Sequence, residues 1–343
     1  MRRNALRELT LARIREFLRQ PEALFWVFAF PVLLALGLGF AFQERGPEQI
    51  PIGVTGPQAA ELEKTLASSP ALLVRVYDET AGREALRTGR ISLLVEGEGG
   101  APVFRFDPTR PESRIARLEA SAALQTAAGR RDPVPISTVE TREPGARYID
   151  FLIPGLLGLN LMGTGMWSVG FSVATARMQK LLKRLVATPM RRSDYLLSHM
   201  LSRLIFLVLE VVVLIGFGWW AFDVAVRGSL AALALVSLLG AFTFTALGML
   251  AASRAETLEG VSGLMNLIMV PMWVMSGVFF SVERFPDAFQ PVVQALPLTA
   301  LNDALRAIIN EAQPLTAVAG ELAILVAWGI GTFLVALKIF KWR

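Results

Sequence analysis

Apolar residues in this chain gather into six long blocks set apart by charged stretches. Residues 23–42, 151–176, 228–253 and 261–282 carry no charge at all. Residues 204–222 carry only Glu210, and residues 315–337 carry only Glu321, near one end. A hydrocarbon core of about 30 Å takes roughly 20 apolar helical residues to cross, so each block predicts a transmembrane helix. The first could be confused with a secretory signal peptide. Its long basic flank, its extended apolar run and the lack of a small-x-small cleavage pattern after it favour a retained anchor.

Residues 43–147 follow another rule. Short β-like runs at 50–54, 72–77, 91–95 and 103–106 alternate with helical stretches at 58–66, 80–87 and 112–128. This alternation predicts a small α/β domain inserted between the first and second spans and lying outside the membrane. Pro133, Pro135 and Pro144 mark an extended return to the bilayer. The fold class is therefore an α-helical polytopic membrane protein with six spans and an extracytoplasmic α/β insertion. A five-helix membrane region fills residues 148–343.

Charge then orients the chain. Lys and Arg concentrate in residues 1–22, in 177–203 and in the tail at Lys338, Lys341 and Arg343. Six spans put all three clusters on one face, which the positive-inside rule makes cytoplasmic, with both termini there. The connections at 223–227 and 283–321 fall outside and are poor in basic residues. In residues 1–22, Leu11, Ile14, Phe17 and Leu18 suggest an interfacial helix on the cytoplasmic surface, although Arg7 falls near that stripe. A plain basic flank of the anchor is the other reading. The net charge of +5 thus belongs to topology, and no nucleic-acid partner is expected.

The chain has no cysteine and one histidine, His199. Disulfides, zinc–thiolate sites, iron–sulfur clusters and a His-rich metal centre are excluded. No G-x-x-x-x-G-K-[ST] run occurs, so no P-loop is expected, and no catalytic or metal-binding residue is assigned.

Two segments and three intramembrane side chains stand out. In residues 177–190, Leu181, Leu182, Leu185 and Val186 share one helical face while Lys180, Lys183 and Arg184 point largely away. Pro189 ends the helix, and Ser193 and Asp194 can cap the next. Such a helix could serve as a lever for a cytoplasmic partner or simply lie on anionic lipid. Residues 283–312, with Pro297, Thr299, Asn302, Asp303 and Arg306, are too polar and broken to span. They suit two short helices dipping into the outer leaflet, or an ordinary external loop. Glu210 sits mid-span, where a charge must face protein or water. Asn160 and Asn266 are candidates for helix packing or for a translocation path. Gly155, Gly158, Gly163 and Gly165 give the second span a small face, suited to a dimer interface or to packing within one subunit.

The order of elements over nearly the whole chain resembles the type-2 ABC transporter permeases. The most specific stretches are KLLKRLVATPMRRSDYLLSHMLSR and PMWVMSGVFFSVERFPDAFQPVVQALPLTALNDALR. The resemblance implies that Lys180, Leu181, Leu182, Lys183, Arg184, Leu185, Thr188 and Pro189 couple to an ATPase. It also implies that residues 283–312 form external re-entrant helices. Where many members carry a Gly-Thr-Leu-Glu-like run, this chain has Lys180-Leu181-Leu182-Lys183. The implied function is a permease of an ATP-driven exporter moving a drug, a lipid-like or another small molecule across a bacterial plasma membrane. Its expected partners are a cytoplasmic ABC ATPase carrying the ATP and Mg, a second permease copy or a paralogue, and membrane lipid. The external domain leaves a periplasmic adaptor open as a further partner. A membrane-anchored sensor with a ligand-binding external domain is the alternative, but it leaves five spans unexplained. An intramembrane enzyme would need convergent acid–base groups that one Glu does not supply.

Overall fold

The computed structural model describes residues 2–42, 49–131, 147–178, 192–253 and 257–339. The chain divides into two compact units, residues 1–43 with 141–343, and residues 44–140.

The first unit is helical. Helix α1 covers Arg2–Leu18 and α2 covers Pro21–Ala41, with a π-helical turn at Phe25–Ala29. After the insertion come α6 (Tyr148–Met178), α7 (Arg192–Phe222), α8 (Leu230–Ala252) and α9 (Leu258–Met275). Two short helices, α10 (Gln290–Gln294) and α11 (Pro297–Ile309), precede α12 (Ala319–Ile339). Among the described residues, six helices are long and apolar enough to cross a membrane: α2, α6, α7, α8, α9 and α12. The segment Asp287–Gln294 and α11 meet at 83°, a bend that shortens their reach.

Helix α6 is the hub, with 78% of its apolar window buried, against 17% for α2 and 22% for α9. Its glycines explain the difference. A Cβ at Gly155 would lie 2.6 Å from the Val278 carbonyl oxygen, and one at Gly158 would run into Asn302 Oδ1. A Cβ at Gly165 would meet Phe244 of α8 at 2.9 Å. The small face of this helix therefore serves close packing within the subunit. Around it, Leu152, Leu156, Leu161, Leu247, Leu301 and Leu305 belong to one continuous core. Thr243 of α8 donates to the Leu325 carbonyl of α12 at 2.9 Å, satisfying a hydroxyl inside the bundle.

Two boundaries differ from expectation. The fifth span ends at Met275, not near residue 282, because Gly277 takes φ 67° and turns the chain away. Helix α7 begins at Arg192, so Ser193 and Asp194 fall in its first turn, not ahead of it. Its far end stops at Asp223, whose φ of 55° and the Val224 N–H bond to the Gly218 carbonyl form a left-handed cap. In α1, Thr10 is buried and Leu6, Leu9, Leu11, Ile14 and Phe17 are half-buried, while Leu18 is 54% exposed. That face packs on α7, with the Phe17 ring 4.2 Å from that of Phe206.

The second unit is a four-stranded sheet in the order β2-β1-β3-β4. Its strands are β1 (Ile50–Thr55), β2 (Leu72–Val76), β3 (Leu93–Glu96) and β4 (Val103–Arg105). The first three are parallel, with Ile52 opposite Val74 and Leu93, and β4 is antiparallel to β3. Helices α3 (Ala59–Leu66) and α5 (Pro111–Ala127) cover one face over Ile52, Val54, Leu93 and Val95. Helix α4 (Glu79–Arg87) covers the other, where Ala85 meets Ile91 and Leu94.

Candidate functional site

The most developed polar site lies inside the bundle and ties three helices together. Glu210 of α7 accepts a hydrogen bond from Arg203 Nη1 at 2.7 Å and from Thr164 Oγ1 of α6 at 3.0 Å. Arg203 Nη2 also reaches Thr164 Oγ1, at 2.6 Å. One turn earlier on α6, Asn160 Nδ2 donates to the Val27 carbonyl of α2 at 3.1 Å. Val27 sits in the π-helical turn, and Pro31, four residues on, has no N–H to give its carbonyl an α-helical bond, which leaves that oxygen open to the Asn160 amide. The Glu210 side chain is 1% exposed and that of Arg203 14%.

Local sequence explains the placement. Arg203 and Glu210 are seven residues apart on one helix, which returns them to the same face two turns on. The opposite face of α7 shows Leu201, Leu204, Val208 and Val212, all exposed and apolar, as a lipid-facing surface requires. Sequence reasoning counted Arg203 among the basic flank of a loop. The structure turns it inward as the counter-ion of Glu210. The seven-residue spacing was the available signal. Thr164 gave none, since its role depends on what α7 brings to it.

A second polar cluster holds α11 against the Tyr148 end of α6. Asn302 Nδ2 donates to the Ser276 carbonyl at 2.8 Å, and its Oδ1 rests over Gly158. Arg306 donates to the carbonyls of Gly277 and Phe151, and its guanidinium lies 3.7 Å from the centre of the Phe151 ring. Asn310 Nδ2 donates to the Asp150 carbonyl at 2.8 Å, and Tyr148 Oη donates to that of Phe279 at 3.0 Å. Arg147, just outside the span, is bound to Asp150 at 2.8 Å, and this bond raises the Arg147 pKa further. Of the residues singled out in this segment, Pro297, Thr299 and Asn302 are fully buried, Arg306 is nearly so, and Asp303 is half-exposed beside Arg306 at 3.5 Å.

Asn266 goes elsewhere. It is exposed on α9, on the face that also presents Leu267, Val270 and Val274. Asn160 and Glu210, by contrast, are committed to helix-to-helix bonds. Lys180, Leu181, Leu182, Lys183, Arg184, Leu185, Thr188 and Pro189 lie outside the described residues. Among the described residues no cluster of acidic or histidine side chains suits a metal ion.

The α/β unit offers little at the place where such sheets take ligands, the crevice between β1 and β3. There the Gly56 and Gly97 backbones touch, and a Cβ at Gly97 would meet Leu62 at 2.7 Å. An open cleft of about 630 Å³ lies instead beside α4, lined by Arg83, Arg87, Phe106, Asp107 and Arg110.

Comparison with known proteins gives this architecture a family. Residues 21–338 match the family described as ABC-2 family transporter protein. The linearmycin resistance permease protein LnrN of Bacillus subtilis is 25% identical over 280 residues, covering 72% of each chain. Nodulation protein J of Rhizobium meliloti is 25% identical over 209 residues, covering 59% of this chain and 77% of that one. ABC transporter G family member 20 of Dictyostelium discoideum is 28% identical over 180 residues, 51% of this chain and 24% of that protein. The chain therefore spans about a quarter of the Dictyostelium relative. A match across six membrane-type helices and the insertion between them leaves one conclusion: the chain belongs to the ABC-2 transporter family and is a multi-pass membrane permease.

Proposed function

We propose that the chain is the permease of an ATP-driven exporter in a bacterial plasma membrane, with both termini in the cytoplasm and the α/β unit outside. The observation that carries this reading is the agreement between span order and charge. With six spans, α1, the segment 179–191 and the C-terminal tail share one side, and these are the basic segments. ATP and Mg belong to the partner ATPase. Closure of an ATPase pair pushes Lys180 to Pro189, and α6 and α7, which flank that segment, carry the push into the membrane. A second copy or a paralogue completes the path, between the second and fifth spans of each.

The exposed face of α9 supports this last point. Asn266 is a mid-span amide on an otherwise apolar surface, and in lipid it would lack partners. A wall of leucine, valine and one amide suits a drug or a lipid-like molecule better than a highly charged one. The names of a linearmycin resistance permease and of a probable multidrug permease from Escherichia coli among the relatives agree with such a cargo. The short helices α10 and α11, bent by 83° at the break between them, act as re-entrant elements at the outer end of α6.

The test is substitution of both Leu181 and Leu182 by Asp. Membrane insertion should persist while co-purification of the ATPase and substrate efflux are lost. Unchanged efflux would overturn the docking role, and the α/β unit found on the cytoplasmic side by protease protection would overturn the topology.

A further inference from the structure

We infer that Arg203, Glu210 and Thr164 form a transmission clamp: positioning residues that carry movement of the segment 179–191 to the first span, with no contact to substrate. This rests on the exporter reading and adds to it a route through the bundle.

The clamp sits where such a route must pass. Segment 179–191 joins α6 to α7, and Thr164 lies about 21 Å along α6 from its Met178 end. Arg203 lies about 16 Å along α7 from Arg192. A push on the segment displaces both helices at one end. Their apolar contacts can slide, because dispersion between side chains is not directional. Hydrogen bonds from a buried guanidinium are directional, and here they join the two helices at a single hydroxyl. The same α6 turn reaches α2 through Asn160 and the Val27 carbonyl. The π-helical turn at Phe25–Ala29 is where α2 can yield, since its backbone bonds are already shifted out of the α register.

Two further features fit a moving part. The Thr164 hydroxyl accepts from Arg203, donates to Glu210 and also lies 2.8 Å from the Asn160 carbonyl, so one rotation exchanges its partners. Arg203 Nε is buried and makes no hydrogen bond among the described residues. An unpaired buried donor is costly in such a medium, so a rearrangement that gives Arg203 Nε a partner is favoured. Among the described side chains, Leu201, Leu204, Val208 and Val212 make the face of α7 away from the clamp apolar and exposed, so the network has no polar neighbour there.

The experiment uses the whole permease with its ATPase in nanodiscs. Because the chain has no cysteine, Leu33→Cys on α2 and Leu334→Cys on α12, both exposed, accept spin labels at defined positions. In the otherwise unaltered chain, ATP should change the distance between the two labels. The paired change Arg203→Met with Glu210→Gln removes both charges together and leaves no unpaired ion, so folding is retained. With it the ATP-dependent distance change should vanish, and substrate moved per ATP should fall by about ten-fold, while ATP hydrolysis continues. A merely structural role would lower hydrolysis and transport in proportion. An undiminished distance change or an unchanged ratio in the paired variant overturns the clamp and leaves the exporter reading standing. A wild-type permease with no response to ATP overturns both.

Discussion

The two units each contain a carboxylate held by a guanidinium, at nearly the same distance and with very different consequences. In the bundle, Glu210 and Arg203 are 2.7 Å apart and both withdrawn from solvent. In the α/β unit, Glu96 and Arg105 are 2.6 Å apart across β3 and β4, with Arg83 at 3.8 Å, but both arginines are half-exposed. Distance alone would rank them equal. Surrounding medium decides otherwise. Water around Arg105 and Arg83 replaces a lost partner, whereas inside the bundle a lost partner leaves an uncompensated charge. Removing one member of the first pair therefore strains the fold, while the second pair is a trim on an edge strand.

The largest way to break this comparison is Glu210→Ala, which should cost about 3–5 kcal/mol of stability by stranding Arg203. Thermal unfolding in detergent would measure it, and a loss no larger than that of an exposed pair would show that water reaches the site. Next is Gly158→Ala, whose Cβ runs into Asn302 Oδ1. Overpacking of this kind costs about 1–3 kcal/mol, and Asn302→Ala in the same chain should recover part of it. A double-mutant cycle on melting temperature would show the coupling. Glu96→Gln should move stability only slightly, with its effect weakened further by salt.

Smallest is Asp78, the N-cap of α4. Its carboxylate accepts from the Ala81 N–H at 2.6 Å and from the Thr80 hydroxyl at 3.0 Å, and these bonds hold it below the usual carboxylate range. A depressed folded value means that the stabilisation is complete above the ordinary carboxylate pKa of about 4 and is lost as pH falls through the lower folded value. Melting curves of wild type and Asp78→Asn should therefore converge in acid and separate above about pH 4.

Much of the fold was legible in the residues. The six apolar blocks, four of them uncharged and two with a single Glu, became six helices because a span needs only length and the near-exclusion of charge, both local properties. The α/β unit was readable for a similar reason: β1, β2 and α3 to α5 lie within a few residues of their predicted places, since alternation and cap residues act over one or two turns. The site was less legible. Glu210 announced itself as a charge in a span, but Arg203 was hidden in a run of basic residues that flank a loop. Asn160 and Asn266 looked alike in sequence and ended on opposite surfaces, one bonded to Val27 and the other exposed. The stripe expected on α1 lost only Leu18, which is exposed, while Phe17 packs on Phe206 of α7.

By itself, then, the sequence determined which six blocks are long and apolar enough to cross a membrane, where the polar α/β insertion falls between them, and where the basic residues gather. Each follows from the transfer of single segments between water and hydrocarbon. Only the tertiary structure decided that α6 is the hub, that Gly155 admits the Val278 backbone and Gly158 the Asn302 side chain, and that Arg203 turns inward to meet Glu210 and Thr164. These depend on which helix lies beside which, and in a bilayer no hydrophobic gradient between helices announces that choice in advance.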